Sequence, residues 1–151
     1  MKNNHIRILM GAFAACCLLL AVACGKEEYK TKGNLEPTAK CFVGSSWTFD
    51  SLSGDFAYSG LSFDKDSMRF SAFNTYGWQL NGSTIEGRRL MQPNWDESVR
   101  MLIKELNVKT STDAEGNQVK ETTMVAEGYF ARTYLSNVDT FWTFHGTLKK
   151  S

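Results

Sequence analysis

Residues 78–90 read WQLNGSTIEGRRL, and this stretch decides the fold. Trp78 and Leu80 run up to Asn81-Gly82 on alternate positions, and residues 83–90 leave it as a return strand. Asparagine and glycine both tolerate positive φ, so the pair closes a tight hairpin and sets two antiparallel strands side by side. The same grammar extends outward. Leu61 and Phe63 precede Asp64-Lys65-Asp66, and Met68, Phe70 and Ala72 follow on alternate positions, which makes a second hairpin. Trp47 and Phe49 alternate with Thr48 and Asp50. Downstream, Asp113-Ala114-Glu115-Gly116-Asn117 joins strands at 108–112 and 118–126. Glu127-Gly128 and Ser136-Asn137 set off further strands at 129–135 and 140–148. Prolines are confined to Pro37 and Pro93. Short apolar runs separated by turn residues at these spacings predict a mainly β fold, a small antiparallel β-barrel or sandwich of about nine strands.

One segment breaks the alternation. Trp95, Val99, Leu102, Ile103 and Leu106 recur at helical spacing, with Asn94 placed as an N-cap and Glu97 three residues on as in a capping box. This spacing predicts one helix over residues 94–106, covering a sheet face or plugging a barrel end.

The amino-terminal residues have a different character. Lys2 and Arg7 precede a run of fifteen almost wholly apolar residues, 8–22, and Ala21-Val22-Ala23 offers small residues for cleavage after Ala23. A charged start, a short apolar core and a small-residue site are the pattern of an export signal, here residues 1–23. A permanent span needs about 20 apolar residues, more than this run supplies. Residues 25–40 are polar and lack apolar periodicity, so residues 24–40 read as a flexible tether ahead of a single domain over 41–151.

Loss of the signal removes Lys2 and Arg7, taking the basic count from 17 to 15 against 16 acids. A near-neutral chain argues against electrostatic nucleic-acid binding. Cys16 and Cys17 leave with the signal, and with Cys24 at the cleavage point only Cys41 remains. No intrachain disulfide is then available, and stability has to come from a packed core.

Candidates for chemistry are few. His145 is the sole histidine after cleavage and follows Phe141 and Thr143 on alternate strand positions, as an ordinary strand residue does. A histidine-rich metal site is excluded by count. Asp64 and Asp66 lack the later ligands of a calcium loop, and Asp113, Glu115 and Asn117 read as turn residues around Gly116. No glycine loop for a phosphate is present, and no cofactor is expected. Aromatics are abundant: seventeen lie between Phe42 and Phe144. Neighbours on a strand point to opposite faces, so Tyr129-Phe130 and Phe141-Trp142 cannot all face inward. Trp78, Tyr129 and Trp142 are the candidates for an aromatic ligand or partner surface.

Four resemblances add to this. Leu20-Ala21-Val22-Ala23-Cys24 resembles the bacterial lipobox, which implies that Cys24 carries a diacylglyceryl group and anchors the chain in a membrane, the outer membrane being expected. Cys24-Gly25-Lys26-Glu27-Glu28 is similar to the surface-export signal of Bacteroidetes lipoproteins, which implies display at the cell surface through Lys26, Glu27 and Glu28. Asp50-Ser51-Leu52 and Asp66-Ser67-Met68 look like the three-residue O-glycosylation sites of exported Bacteroidetes proteins. Over residues 44–108, Gly44-Ser45-Ser46-Trp47, Leu61-Ser62-Phe63-Asp64 and Asn74-Thr75-Tyr76-Gly77-Trp78, followed by a helix, resemble the META/HslJ-like family of small β-rich envelope proteins. Ala72-Phe73 stands where that family has Gly-Cys, and residues 88–91 are a poor match to its Thr-Arg-Met segment. The family implies no enzyme activity; a lipocalin-like barrel is the rival architecture. The expectation is a non-catalytic, membrane-anchored binding module for a small hydrophobic ligand or an envelope partner. The alternatives are a structural envelope protein with no small ligand and, third, a hydrolase using carboxylates.

Overall fold

The computed structural model describes residues 29–54, 58–70, 74–92, 95–135 and 137–151. The expected signal peptide with Ala23, the lipidation candidate Cys24 and the export candidates Lys26, Glu27 and Glu28 lie outside the described residues.

Period-two alternation shapes the chain from Ser45 to Lys150. After a short helix α1 (Ala39–Phe42) come eight strands: β1 (Ser45–Gly54), β2 (Gly60–Phe63), β3 (Ser67–Phe70), β4 (Asn74–Asn81), β5 (Thr84–Gln92), β6 (Trp95–Thr112), β7 (Gln118–Tyr134) and β8 (Asn137–Lys150). Each pairs antiparallel with the next, and β8 pairs back with β1, from Trp47 with Lys150 to Gly54 with Phe144. The sheet therefore closes into a barrel, which removes the unpaired edge that an open sheet leaves. The Asn81-Gly82 turn and the 113–117 turn fall where the sequence places them. Gly82 takes φ 56° between β4 and β5, and Gly116 takes φ 87° between β6 and β7.

Two expectations are corrected. Residues 94–106 are not a helix: from Trp95 they belong to β6, paired with β5 on one side and β7 on the other. Asn94, the expected cap, is outside the described residues. Glu97, Val99, Met101 and Ile103 are buried on alternate positions, and a register shift between Ile103 and Glu105 then turns Leu106 inward. A bulge adds one residue to one strand and flips the later parity. Here it sets Ile103 and Leu106 three apart, a helix-like interval, while β-branched Val99, Ile103 and Val108 suit the strand. The helix implied by the META/HslJ-like resemblance is strand for the same reason. The strand count is eight rather than nine because residues 118–126 and 129–134 lie in one strand. Gly128 pairs with Met101 and Phe144 in mid-strand instead of making a turn.

The expected tether is also shorter than its composition suggests. β6 outruns β5, whose pairing ends at Thr84 with Leu102, so the β6 edge beyond needs another partner. Residues 29–35 supply it. Lys32 N donates to Lys104 O (2.9 Å), Leu106 N to Lys32 O (2.9 Å), and Leu35 N to Leu106 O (3.2 Å). The Asn34 side chain donates to Val108 O (2.9 Å) and accepts from Val108 N (2.8 Å). Gly33, at φ 113°, lets the segment lie this close, since a Cβ there would sit 2.1 Å from Leu106 O.

The barrel interior is filled. At one end Phe42 of α1 plugs the opening against Trp47 (ring centroids 5.8 Å) and Phe63 (5.3 Å). Phe70, Tyr76, Phe130 and Phe144 occupy the middle, with Phe130 stacked edge-on to Phe70 at 5.1 Å. Gly87 shows how little room remains: a Cβ would meet Met68 Cε at 2.2 Å and Val99 Cγ1 at 2.7 Å. Gly87→Ala is therefore expected to cost about 1–3 kcal/mol, as overpacking does. It should appear as a lower urea midpoint at unchanged slope. A rise in stability would mean that the interior has spare volume.

Candidate functional site

The three aromatic candidates do not form one surface. Trp78 lies on the inward row of β4, half-buried against Phe63 (4.9 Å), and its Nε1 donates to Asp64 O (3.0 Å) near the plugged end. Trp142 is half-buried at the opposite end, 6.0 Å from both Tyr58 and Phe130. Tyr129 points outward and is 37 % exposed. The expectation that one of Phe141 and Trp142 must leave the core does not hold. A register shift between Phe130 and Ala131 against β8 makes Phe141 the extra residue, and both rings pack against the core, 4.8 Å apart.

Trp78 and Tyr129 nevertheless border the same depression on the outside of the barrel. Strand register builds this face in rows. Gln79, Glu86, Arg100, Tyr129 and Thr143 are successive cross-strand partners on β4 to β8. Thr84, Leu102, Glu127, His145 and Ser53 form the adjacent row on β5 to β8 and β1. Two concavities lie along them. One, of about 970 Å³, is lined by Tyr29, Leu102, Glu127, Tyr129 and His145 among others; the second, of about 700 Å³, by Trp78, Gln79, Gly87 and Arg88 among others. Glu86, Arg100 and Tyr129 line both, so they run together as one groove.

The groove is lined by polar and charged groups. Arg100 Nε lies 3.8 Å from Glu86 Oε1, Lys104 Nζ lies 3.1 Å from Glu127 Oε1, and His145 Nδ1 lies 3.8 Å from Glu127 Oε2. These half-exposed pairs add little stability, since surface ion pairs are worth about 0–1 kcal/mol each. Their donors and acceptors are available to a ligand.

A second constellation escapes a reading of the sequence. The Glu97 side chain, 2 % exposed, points inward at the end opposite the plug. It accepts from the Tyr76 hydroxyl, from Arg89 Nη2 (3.1 Å) and from Arg132 Nε (3.3 Å). Arg89 also donates to Asn74 Oδ1 (3.0 Å), and Asn74 Nδ2 donates to the Tyr58 hydroxyl. Burial pushes the Tyr76 phenol well above its ordinary range, and the Glu97 carboxylate acts in the same direction. Tyr76 thus stays a proton donor. Arg132 stacks over Phe141 at 4.3 Å, and Arg89 Nε is buried with no hydrogen-bond partner among the described residues. The signal is present in the sequence but masked by the helix-like spacing. On a strand, Glu97 shares the parity of Val99, Met101 and Ile103, and Arg89 that of Ile85 and Gly87. With three donors on one carboxylate the cluster acts as a lock on β4, β5, β6 and β7.

Set against known protein families, curated proteins and solved structures, the chain shows no significant match to any of the three.

Proposed function

We propose that this chain is a bacterial-type, outer-membrane lipoprotein, anchored through Cys24, whose barrel binds a ligand or envelope partner on its outer face and performs no catalysis. The observation that carries the reading is the contrast between a filled interior and a recessed exterior. Small barrels either fill with side chains or hold a ligand within. Here Met68, Phe70, Tyr76 and Phe130 are fully buried along the axis, and a hydrophobic ligand finds no room among them. The outer groove combines an aromatic face, Tyr129, with hydrogen-bonding groups of both signs, Glu86, Arg100 and Glu127. That chemistry suits a polar ligand with a flat face, such as a saccharide or an extended peptide, better than a small hydrophobe. Cleavage after Ala23 and export through Lys26, Glu27 and Glu28 belong to the same reading and are supported by sequence.

The filled interior also favours a second reading, a structural envelope protein with no small ligand. A photo-crosslinking residue placed at Tyr129 in intact cells separates the two. A discrete adduct that Arg100→Glu abolishes, with none from the same residue at Lys109, supports binding at the groove. No adduct from Tyr129, or equal adducts from both positions, leaves the structural reading standing. Mass spectrometry of the mature protein is expected to find a diacylglyceryl thioether on Cys24.

A further inference from the structure

Among the described residues, the two ends of the barrel differ in kind. At the plugged end the turns are polar: Asp64-Lys65-Asp66, Asn81-Gly82 and residues 113–117. At the other end, the approaches to the β5–β6 and β7–β8 turns expose Leu90 (80 %), Val138 (68 %), Leu135 (66 %), Tyr134 (59 %) and Met91 (38 %). They flank β6 on both sides: Leu90 pairs with Asp96 from β5, and Tyr134 pairs with Trp95 from β7, with Leu135 and Val138 beside it. Leu135 holds φ 54°, a left-handed conformation that costs a branched residue about 1 kcal/mol or more and that glycine or asparagine would adopt freely. A leucine at such a turn places an apolar side chain at the tip against the local backbone preference. Charge is polarised as well. The Arg88 and Arg132 side chains are 71 % and 49 % exposed, whereas the acids they pair with, Asp96 and Glu97, are 11 % and 2 % exposed. Asp139, paired across to Arg132, is an exposed acid beside them.

We infer that this rim seats in the interfacial layer of the lipid bilayer that holds the anchor, giving the protein a second point of membrane attachment. The inference goes beyond groove binding and rests on the lipid-anchor part of the proposed function. Protruding leucines with a tyrosine beside them and arginines behind suit the boundary between acyl chains and headgroups. The acidic turns, Asp64, Asp66, Asp113 and Glu115, face away from it at the plugged end. Reach is compatible. Tyr29 O accepts from Ser83 Oγ, and Ser83 O accepts from Ile103 N. From Ile103 to Trp95, β6 rises about 26 Å along the strand. At the usual barrel tilt of about 40° this is about 20 Å along the axis. Five residues from Cys24 to Tyr29 span at most about 18 Å. Anchor and rim thus come to nearly the same plane with the tether drawn out, and the glyceryl group covers the remainder.

The test uses the lipidated protein in phosphatidylethanolamine–phosphatidylglycerol vesicles, in a Cys41→Ser background. A polarity-sensitive fluorophore is attached at Leu135→Cys or, as control, at Glu115→Cys. Bromine-labelled acyl chains are expected to quench the probe at position 135 several-fold more than the one at 115. Vesicle-bound protein with both probes equally unquenched overturns the inference and leaves the anchor intact. A probe at 135 shielded from water but untouched by bromolipid also overturns it, and indicates a second protein copy on the rim. Protein that neither floats with the vesicles nor carries lipid by mass defeats the anchor reading and this inference together.

Discussion

Glu97→Ala is expected to destabilise the barrel by about 3–5 kcal/mol, the cost of removing one partner from a buried ion pair. Three donors converge on this carboxylate, from Tyr76, Arg89 and Arg132, so its loss leaves the Arg89 charge, 20 % exposed, with only Asn74 as a side-chain acceptor among the described residues. The penalty comes from stranding that charge rather than from the attraction lost. Adding Arg89→Leu to Glu97→Ala should therefore recover part of the stability, a coupling that a double-mutant cycle reads directly. Urea unfolding of the four proteins is the measurement. A loss below about 1 kcal/mol for Glu97→Ala would show that water reaches the site and that the cluster is a surface network.

Phe130→Ala carries the other large effect, about 3–5 kcal/mol for a fully buried phenylalanine. Its ring lies 5.1 Å from Phe70, 6.1 Å from Tyr76 and 6.0 Å from Trp142, so it joins the central aromatics to those at the end opposite the plug. The cavity left cannot collapse easily, because its walls belong to a closed sheet whose strands are pinned on both sides. Near-ultraviolet circular dichroism should lose intensity along with the fall in urea midpoint. Phe130→Leu should cost markedly less, and equal losses for the two variants would point to a ring-specific contact instead of volume.

What the sequence discloses is local. Asn81-Gly82, Asp64-Lys65-Asp66 and the 113–117 loop each contain their own turn chemistry, and Gly82 and Gly116 take the positive φ that this chemistry requires. What stays hidden needs register. The β6 bulge imitates a helical interval, because one inserted residue changes a spacing of two into three, and with it Glu97 resembles a cap instead of an inward carboxylate. The β8 bulge likewise brings Phe141 to the core against the rule of alternating faces. Closure joins β1 to β8, Trp47 to Lys150, across nearly the whole domain, and nothing in either strand announces the other. The groove is the same kind of object. Glu86, Arg100 and Tyr129 become neighbours only once three strands are aligned, so Tyr129 stands out as an aromatic but cannot be placed beside its charged partners.

The docking of residues 29–35 along β6 has a mechanical consequence. Lys32 bridges to Glu105 in parallel, so a pull on the amino terminus directed along β6 loads the Lys32, Asn34 and Leu35 hydrogen bonds together, in shear. A pull directed away from the barrel wall would open them one at a time, beginning at Tyr29. Force on the amino terminus would thus be resisted strongly in one direction and weakly in the other, and the strap would peel before the barrel yields.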